Sequence, residues 1–127
     1  MKRCLPLGVA AILLACSSPT EPERLVPMGS WASDGDPQYV LRVADSSIFF
    51  HDTWDCFLGT IDGPLTADAK GRFQATGSFS FAGTPPFTET VRGQLNGSQI
   101  SLSLRGRVNL DVVLRLGGEI RRPGGAC

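Results

Sequence analysis

From Met28 onward the chain predicts a small all-β domain: an antiparallel meander closed into an eight-stranded up-and-down barrel, with a two-sheet sandwich as the alternative. Three observations predict it. Apolar residues recur at every second position in several short runs, turn-forming residues separate those runs, and no segment carries apolar residues at helical spacing.

Taken in chain order, Ser30 to Ser33, Tyr39 to Ala44, Ser47 to Asp52 and Cys56 to Ile61 are short candidate strands. A brief run near Leu65 follows, then a turn-rich loop, Ala67-Asp68-Ala69-Lys70-Gly71. In Arg72 to Phe81, Phe73, Ala75, Gly77, Phe79 and Phe81 fall on one face and Arg72, Gln74, Thr76, Ser78 and Ser80 on the other, so the first face is the buried one. Glu89 to Leu104 holds two runs around Asn96-Gly97, a dipeptide that tolerates the positive φ angles of a tight hairpin turn. Pairing Leu95 with Ser98 sets Gly93 opposite Ile100 and Val91 opposite Leu102, all on one face. Leu110, Val112, Leu114 and Leu116 alternate with Asp111 and Arg115 in a last half-buried strand. Eight or nine strands in sequence order suffice to close a barrel and remove its exposed edges. Such a lumen is filled by side chains or holds one small ligand. The small inward residues Ala75, Gly77 and Gly93 would leave room there, and bends in the strands explain them equally well.

Ahead of this domain stand Lys2 and Arg3, an apolar run of eleven residues from Leu5 to Ala15, and a cysteine among small residues. That order is a secretory leader, and its apolar run falls short of the ~20 residues that span a bilayer. Leu13-Leu14-Ala15-Cys16 resembles the lipobox of bacterial lipoproteins. The resemblance implies cleavage after residue 15 and acylation of Cys16, and two or three acyl chains anchor firmly to a membrane. Ser17, standing where an aspartate would favour inner-membrane retention in proteobacterial relatives, implies sorting to the outer membrane. Ser17 to Pro27 mixes prolines with small and acidic residues and reads as an extended tether. The expected organisation is therefore leader 1–15, lipidated cysteine and tether 16–27, and barrel 28–127.

Loss of Lys2 and Arg3 from the twelve basic residues leaves ten against twelve acidic ones, which offers no electrostatic footprint for nucleic acid. Of four cysteines, Cys4 leaves with the leader and Cys16 is acylated, so Cys56 and Cys127 remain in an oxidising compartment, where an even remainder usually pairs; two free thiols or an intermolecular bridge are the alternatives. Closing that loop of about 70 residues is worth roughly 4 kcal/mol in a chain-entropy model.

Two further likenesses concern the domain. Gly29-Ser30-Trp31 resembles the Gly-x-Trp that opens lipocalins and other calycins; the resemblance implies that Trp31 plugs one barrel end under a basic residue, Arg115 or Arg121. A second set, Trp31, Cys56, Gly59-Thr60-Ile61, Pro64-Leu65, Asp68, Gly71-Arg72-Phe73, Gly77 and a terminal cysteine, resembles a group of small uncharacterised bacterial lipoproteins. It implies the same Cys56–Cys127 pair and carries no activity.

Catalytic constellations are missing from the sequence. His51 is the single histidine, and there is no Cys-x-x-Cys, no nucleophile elbow and no phosphate-binding glycine loop. His51, Asp52, Trp54 and Asp55 form the densest cluster of reactive groups and read as a solvated turn or a weak surface site. Asp34-Gly35-Asp36 reads as a turn that lacks the remaining ligands of a calcium loop. Arg92, Arg105, Arg107 and Arg115 lie on polar strand faces, as a solvated surface or a basic stripe toward an acidic partner. The expectation is a non-enzymatic envelope lipoprotein without metal or cofactor, anchored through Cys16 and presenting its barrel to a protein or small-molecule ligand. An inhibitor of an exported protease or lysozyme, using the Phe81 to Phe87 loop with Pro85-Pro86, is the alternative; a calycin-like carrier is the third reading.

Overall fold

The structure, a computed structural model, describes residues 23 to 121. The leader, Cys16, most of the tether and Cys127 lie outside the described residues.

Ten strands follow one another: β1 (Arg24–Leu25), β2 (Gly29–Ser33), β3 (Tyr39–Val43), β4 (Ile48–Asp52), β5 (Phe57–Ile61), β6 (Thr66–Ala67), β7 (Arg72–Phe81), β8 (Phe87–Asn96), β9 (Gln99–Leu104) and β10 (Leu110–Leu116). Eight of them, β2-β3-β4-β5-β7-β8-β9-β10, form a closed antiparallel barrel. Each pairs with its neighbour in the chain, and β10 returns to β2 through Leu114–Ser33, Arg115–Ala32 and Leu116–Trp31. The predicted up-and-down barrel is thus the fold, and the sandwich is not. The strands named from alternation recur within a residue or two of their expected ends.

Two features differ from expectation. The ordered domain starts before Met28: β1 pairs with β6, Val26 is buried, and its N–H donates to the Leu65 carbonyl at 2.9 Å. The small β1–β6 sheet lies at the end where β2 begins, and Ala67 from it, with Val26 and Leu65 flanking it, joins the core. One valine finding an apolar site is enough to draw the last residues of the expected tether into the fold. The β8–β9 turn is also displaced by one residue. Its loop residues are Gly97 and Ser98, with Asn96 facing Gln99, Leu95 facing Ile100, Gly93 facing Leu102 and Val91 facing Leu104. Gly97 alone takes a positive φ, +66°, the pattern of a type II′ turn with glycine first, whereas a type I′ turn on Asn96-Gly97 needs positive φ at both positions. Moving the turn by one residue shifts each partner by two, so every side chain keeps its face.

The lumen is solid. Trp31, Leu41, Phe50, Phe79, Val91, Ile100, Leu104 and Leu114 point inward and are fully or almost fully buried. The inward glycines are occupied by rings, which corrects the expectation of free room. A Cβ on Gly59 would lie under 3.0 Å from the Phe79 ring, one on Gly77 2.6 Å from its other edge, and one on Gly93 inside the Phe73 ring. Phe79 stacks on Phe57 at 5.4 Å and meets Phe50 edge-on at 6.4 Å. Offset and edge-to-face pairs of this kind add about 0.5–1.5 kcal/mol each beyond area burial.

Gly59→Ala is therefore expected to destabilise the domain by about 1–3 kcal/mol, the range for overpacking a filled core. Urea unfolding measures this. Combined with Phe79→Leu, which vacates the ring, the alanine should cost less than it does alone.

Candidate functional site

An up-and-down barrel sorts its connections between two ends. The end where β2 starts carries β1, β6 and the turns after β3, β5 and β8. The opposite end carries four loops: 34–38, 53–56, 82–86 and 105–109. Of the sequence-predicted site residues among those described, Asp34, Asp36, His51, Asp52, Trp54, Asp55, Cys56, Arg105 and Arg107 lie in or next to those four loops, whereas Trp31, Arg92 and Arg115 are strand residues.

The His51–Asp55 cluster is not brought together as a reactive centre. Strand alternation sends His51 to the outer face and Asp52 inward. His51 lies beside Phe49, ring centroids 5.3 Å apart, with Nδ1 3.0 Å from the Asp52 carbonyl oxygen rather than from a carboxylate. Asp52 is buried, and its Oδ1 accepts the N–H groups of Cys56 at 2.8 Å and Phe57 at 3.3 Å. It thereby caps the turn between β4 and β5. Asp55, with φ +58°, is the only non-glycine at positive φ among the described residues, and its N–H closes the same turn onto the Asp52 carbonyl. Trp54 donates from Nε1 to Asp36 Oδ1 at 3.0 Å and so links the loops 53–56 and 34–38. Asp34, two residues from Asp36, turns away to Arg115 at 2.9 Å. Among the described residues no cluster of three potential metal ligands forms.

Trp31 is fully buried, and its indole N–H donates to the Pro27 carbonyl at 3.1 Å. The expected basic partner is absent from its surroundings: Arg115 faces outward onto Asp34, and Arg121 bonds to Gly35 and Gln38. The basic stripe is broken up as well. Arg105 is clamped on Asp111 at 2.5 Å, and Arg107 lies over the Phe87 ring at 5.0 Å.

Of the four loops, 82–86 is the most prominent. Phe81 is 42% exposed, and residues 82 to 86 are all exposed. The loop is nevertheless rigidly built. The Thr84 hydroxyl donates to the Phe81 carbonyl at 2.8 Å and accepts the Phe81 N–H at 3.1 Å. The Ala82 N–H reaches the Cys56 carbonyl at 2.9 Å, Phe81 stacks on Phe87 at 6.0 Å, and Pro85-Pro86 stiffens the return.

Among the buried polar side chains that the sequence does not reveal, Glu89 and Gln38 shape this end. Glu89 points into the barrel mouth and accepts the Val108 N–H at 3.0 Å, which folds loop 105–109 over the gap where β9 leaves β8. Gln38, 3% exposed, ties the β2–β3 loop to the chain beyond β10. Beside them, burial first and then the Asp52 carboxylate push the Tyr39 hydroxyl above its ordinary pKa.

A second concave surface lies on the outer face of β7–β10. Gln74, Arg92, Ser103 and Asp111 form one cross-strand row there, and Arg72, Gln94, Ser101 and Val113 the next. At its edge Asp68 accepts the N–H groups of Lys70 and Arg72, both at 2.9 Å, and pairs with the Arg72 side chain. Those N–H groups and the Arg72 charge hold its carboxyl below the ordinary range.

Because the folded-state pKa of Asp68 is depressed, its contribution is present above the unfolded value of about 3.9 and is lost as pH falls through the folded one. Asp68→Asn should lower stability slightly at neutral pH, where the carboxylate's contribution is present, and flatten the acid limb of a stability–pH profile below about pH 4. At the β4–β5 turn, Asp52→Ala should cost about 1–3 kcal/mol by stranding two N–H groups, whereas His51→Ala should shift stability by about 0.5 kcal/mol or less.

No protein-family model matches this chain, and no curated protein or solved structure matches it either.

Proposed function

We propose that this chain is a non-enzymatic envelope lipoprotein, held by acylated Cys16 to the outer membrane and stapled by a Cys56–Cys127 disulfide, whose barrel presents a protein-binding rim on the end remote from the tether. The observation that carries the reading is the division of the barrel ends. The chain enters the fold at Arg24, beside the start of β2, while the exposed, internally bonded loop between Phe81 and Phe87 projects from the other end. An aromatic side chain held out on a rigid loop loses little conformational entropy on contact, which suits an interface anchor. The separated His51 and Asp52 carboxylate favour a binding role over catalysis. A lumen filled by Phe73 and Phe79 favours outer surfaces over an internal ligand.

One specific feature supports a second reading, inhibition of an exported protease or lysozyme. A stiff, protruding, proline-containing loop is the shape that enters an enzyme cleft, and Phe81 supplies an apolar plug.

Mass spectrometry of the membrane fraction should find Cys16 acylated, and a soluble unlipidated product would overturn the anchor. Replacement of residues 82 to 86 by glycine and serine, with Phe81→Ser, should abolish crosslinks from the rim to envelope proteins without lowering the unfolding temperature by more than a few degrees. Undiminished crosslinking would move the binding surface elsewhere. Nanomolar to micromolar inhibition of a lysozyme or exported protease by the unaltered protein alone would select the inhibitor reading.

A further inference from the structure

The barrel closes, but its wall is incomplete beside β10. That strand pairs with β9 over six residues, Leu110 to Arg115, and with β2 over only three, Leu114 to Leu116. β2 stops at Ser33, and Gly35, at φ +98°, turns the chain away. From Leu110 to Val113 the side of β10 that faces β2 therefore has no ladder partner among the described residues, an edge of about 13 Å. Burial follows the same boundary. On the inward face Leu114 is fully buried, whereas Val112 and Leu110 are half-buried, and the outward Val113 is 42% exposed.

Bonds further along β10 fix which backbone groups are left over. The Leu116 N–H donates to the Ser98 carbonyl on the β9 side at 2.9 Å, and the Gly117 N–H to the Ser30 carbonyl on the β2 side at 2.8 Å. Backbone groups of a strand alternate sides in this way, and the register with β9 runs without interruption. The N–H groups of Asp111 and Val113 thus point to the β2 side, and no hydrogen bond of the loops reaches either of them among the described residues.

Beside this edge lies a cleft of about 520 Å³ that residues of both barrel faces line: Ser33, Tyr39 and Val112 from the inner face, Val113 and Arg115 from the outer. That is the shape of a wall with one short strand left out. Its far side, loop 34–38, is fixed in advance. Trp54 bonds to Asp36, and Gln38 bonds to the Glu119 carbonyl at 2.6 Å and the Arg121 N–H at 2.8 Å, which keeps residues 117–121 as a strap along β2. The charges around the cleft are spent on one another, Asp34 on Arg115 at 2.9 Å and Asp111 on Arg105 at 2.5 Å. An incoming charge would have to break one of these pairs, so the cleft suits an uncharged segment.

We infer that this slot takes an extended, uncharged peptide segment of a partner protein, which adds to β10 as a short strand in line with β2. The segment runs antiparallel to β10, as β2 does. Its residues opposite Val113 and Asp111 bond to their backbone and point outward, and the residue opposite Val112 turns an apolar side chain inward onto Tyr39 and Val112. Strand addition draws affinity from main-chain bonds and specificity from alternate side chains. Because loop 34–38 stands on the other side of the slot, a lone strand fits there, and the edge of a second barrel, with its own sheet attached, does not. The inference goes beyond the rim reading, which uses the loop between β7 and β8 and not this slot.

The experiment uses the full chain in mild detergent, with acetylated and amidated Thr-Val-Thr-Val-Thr as the probe, and reads amide NMR shifts and hydrogen exchange. In the free chain the Asp111 and Val113 amides should exchange faster than that of Val112, which faces β9. The probe should shift both saturably and slow their exchange by about tenfold. Val113→Pro removes one donor on the slot side and spares the β9 ladder, a place where an edge strand tolerates proline. It should weaken probe binding by about fivefold, the worth of one net hydrogen bond. If that variant does not fold, the probe N-methylated at its Thr amides decides on the unaltered chain, with a similar loss expected. Replacement of residues 82 to 86 by glycine and serine should leave probe binding unchanged, so this inference and the rim reading fail separately. The inference is overturned if millimolar probe gives no saturable change, or if the N-methylated peptide or Thr-Glu-Thr-Glu-Thr binds equally well. It is also overturned if Asp111 and Val113 already exchange as slowly as Val112 in the free chain, since the edge is then occupied by a second copy or by the chain itself.

Discussion

The fold depends on a spatial constraint inside the lumen: two of its bulky rings fit because the inward positions beside them, on their own or the facing strand, are glycines. Phe79 lies over Gly59 and Gly77, and Phe73 over Gly93. These ring-on-glycine contacts bring β5, β7 and β8 close together, and Phe50 and Phe57 pack against Phe79 to complete the aromatic layer. Glycine at those positions costs backbone entropy, and the cost is offset by ring burial that no larger residue would permit. The same contacts decide where ligands can go. A lumen spent on its own rings leaves only the outside of the barrel and its loops.

Closing the ends requires a different chemistry, because strands that stop leave backbone groups unpaired. Asp52 supplies acceptors for the N–H groups of the β4–β5 turn, Glu89 does so for the loop after β9, and Gln38 serves the β2–β3 loop and the strap together. All three are buried polar side chains with partners, and among the described residues no buried side-chain nitrogen or oxygen lacks one. Each bond is modest in net terms, yet stranding a partner costs about 1–3 kcal/mol, so these residues define loop shape more sharply than the apolar core does. The rigidity of the distal rim follows from them.

Much of this was legible in the sequence for a simple reason: where one strand face is buried, alternation and register are the same information. Arg72 to Phe81 and Leu110 to Leu116 took the faces their patterns assigned. The β8–β9 turn was legible in kind but not in position, because Gly97 satisfies either central place of a tight turn and a shift by one preserves every face. β1 was illegible because two residues and a single buried valine make no pattern among prolines. The His51–Asp55 cluster was legible as a turn between two strands, while the separation of its side chains was not. Neighbours in a strand point to opposite faces, so closeness in sequence separated the imidazole from the Asp52 carboxylate. Gln38 carried no signal at all, since its role depends on a segment some eighty residues later.

The placement of chain entry and exposed loop at opposite barrel ends also has a mechanical consequence. A pull applied between Arg24 and the Phe81–Phe87 loop runs nearly along the strands. The barrel ladders are then loaded in shear, with many hydrogen bonds sharing the force, instead of being unzipped one at a time. The two-residue β1–β6 pair lies outside the barrel at the end where β2 starts and yields first. Its opening releases a few residues at that end and leaves the rim undistorted.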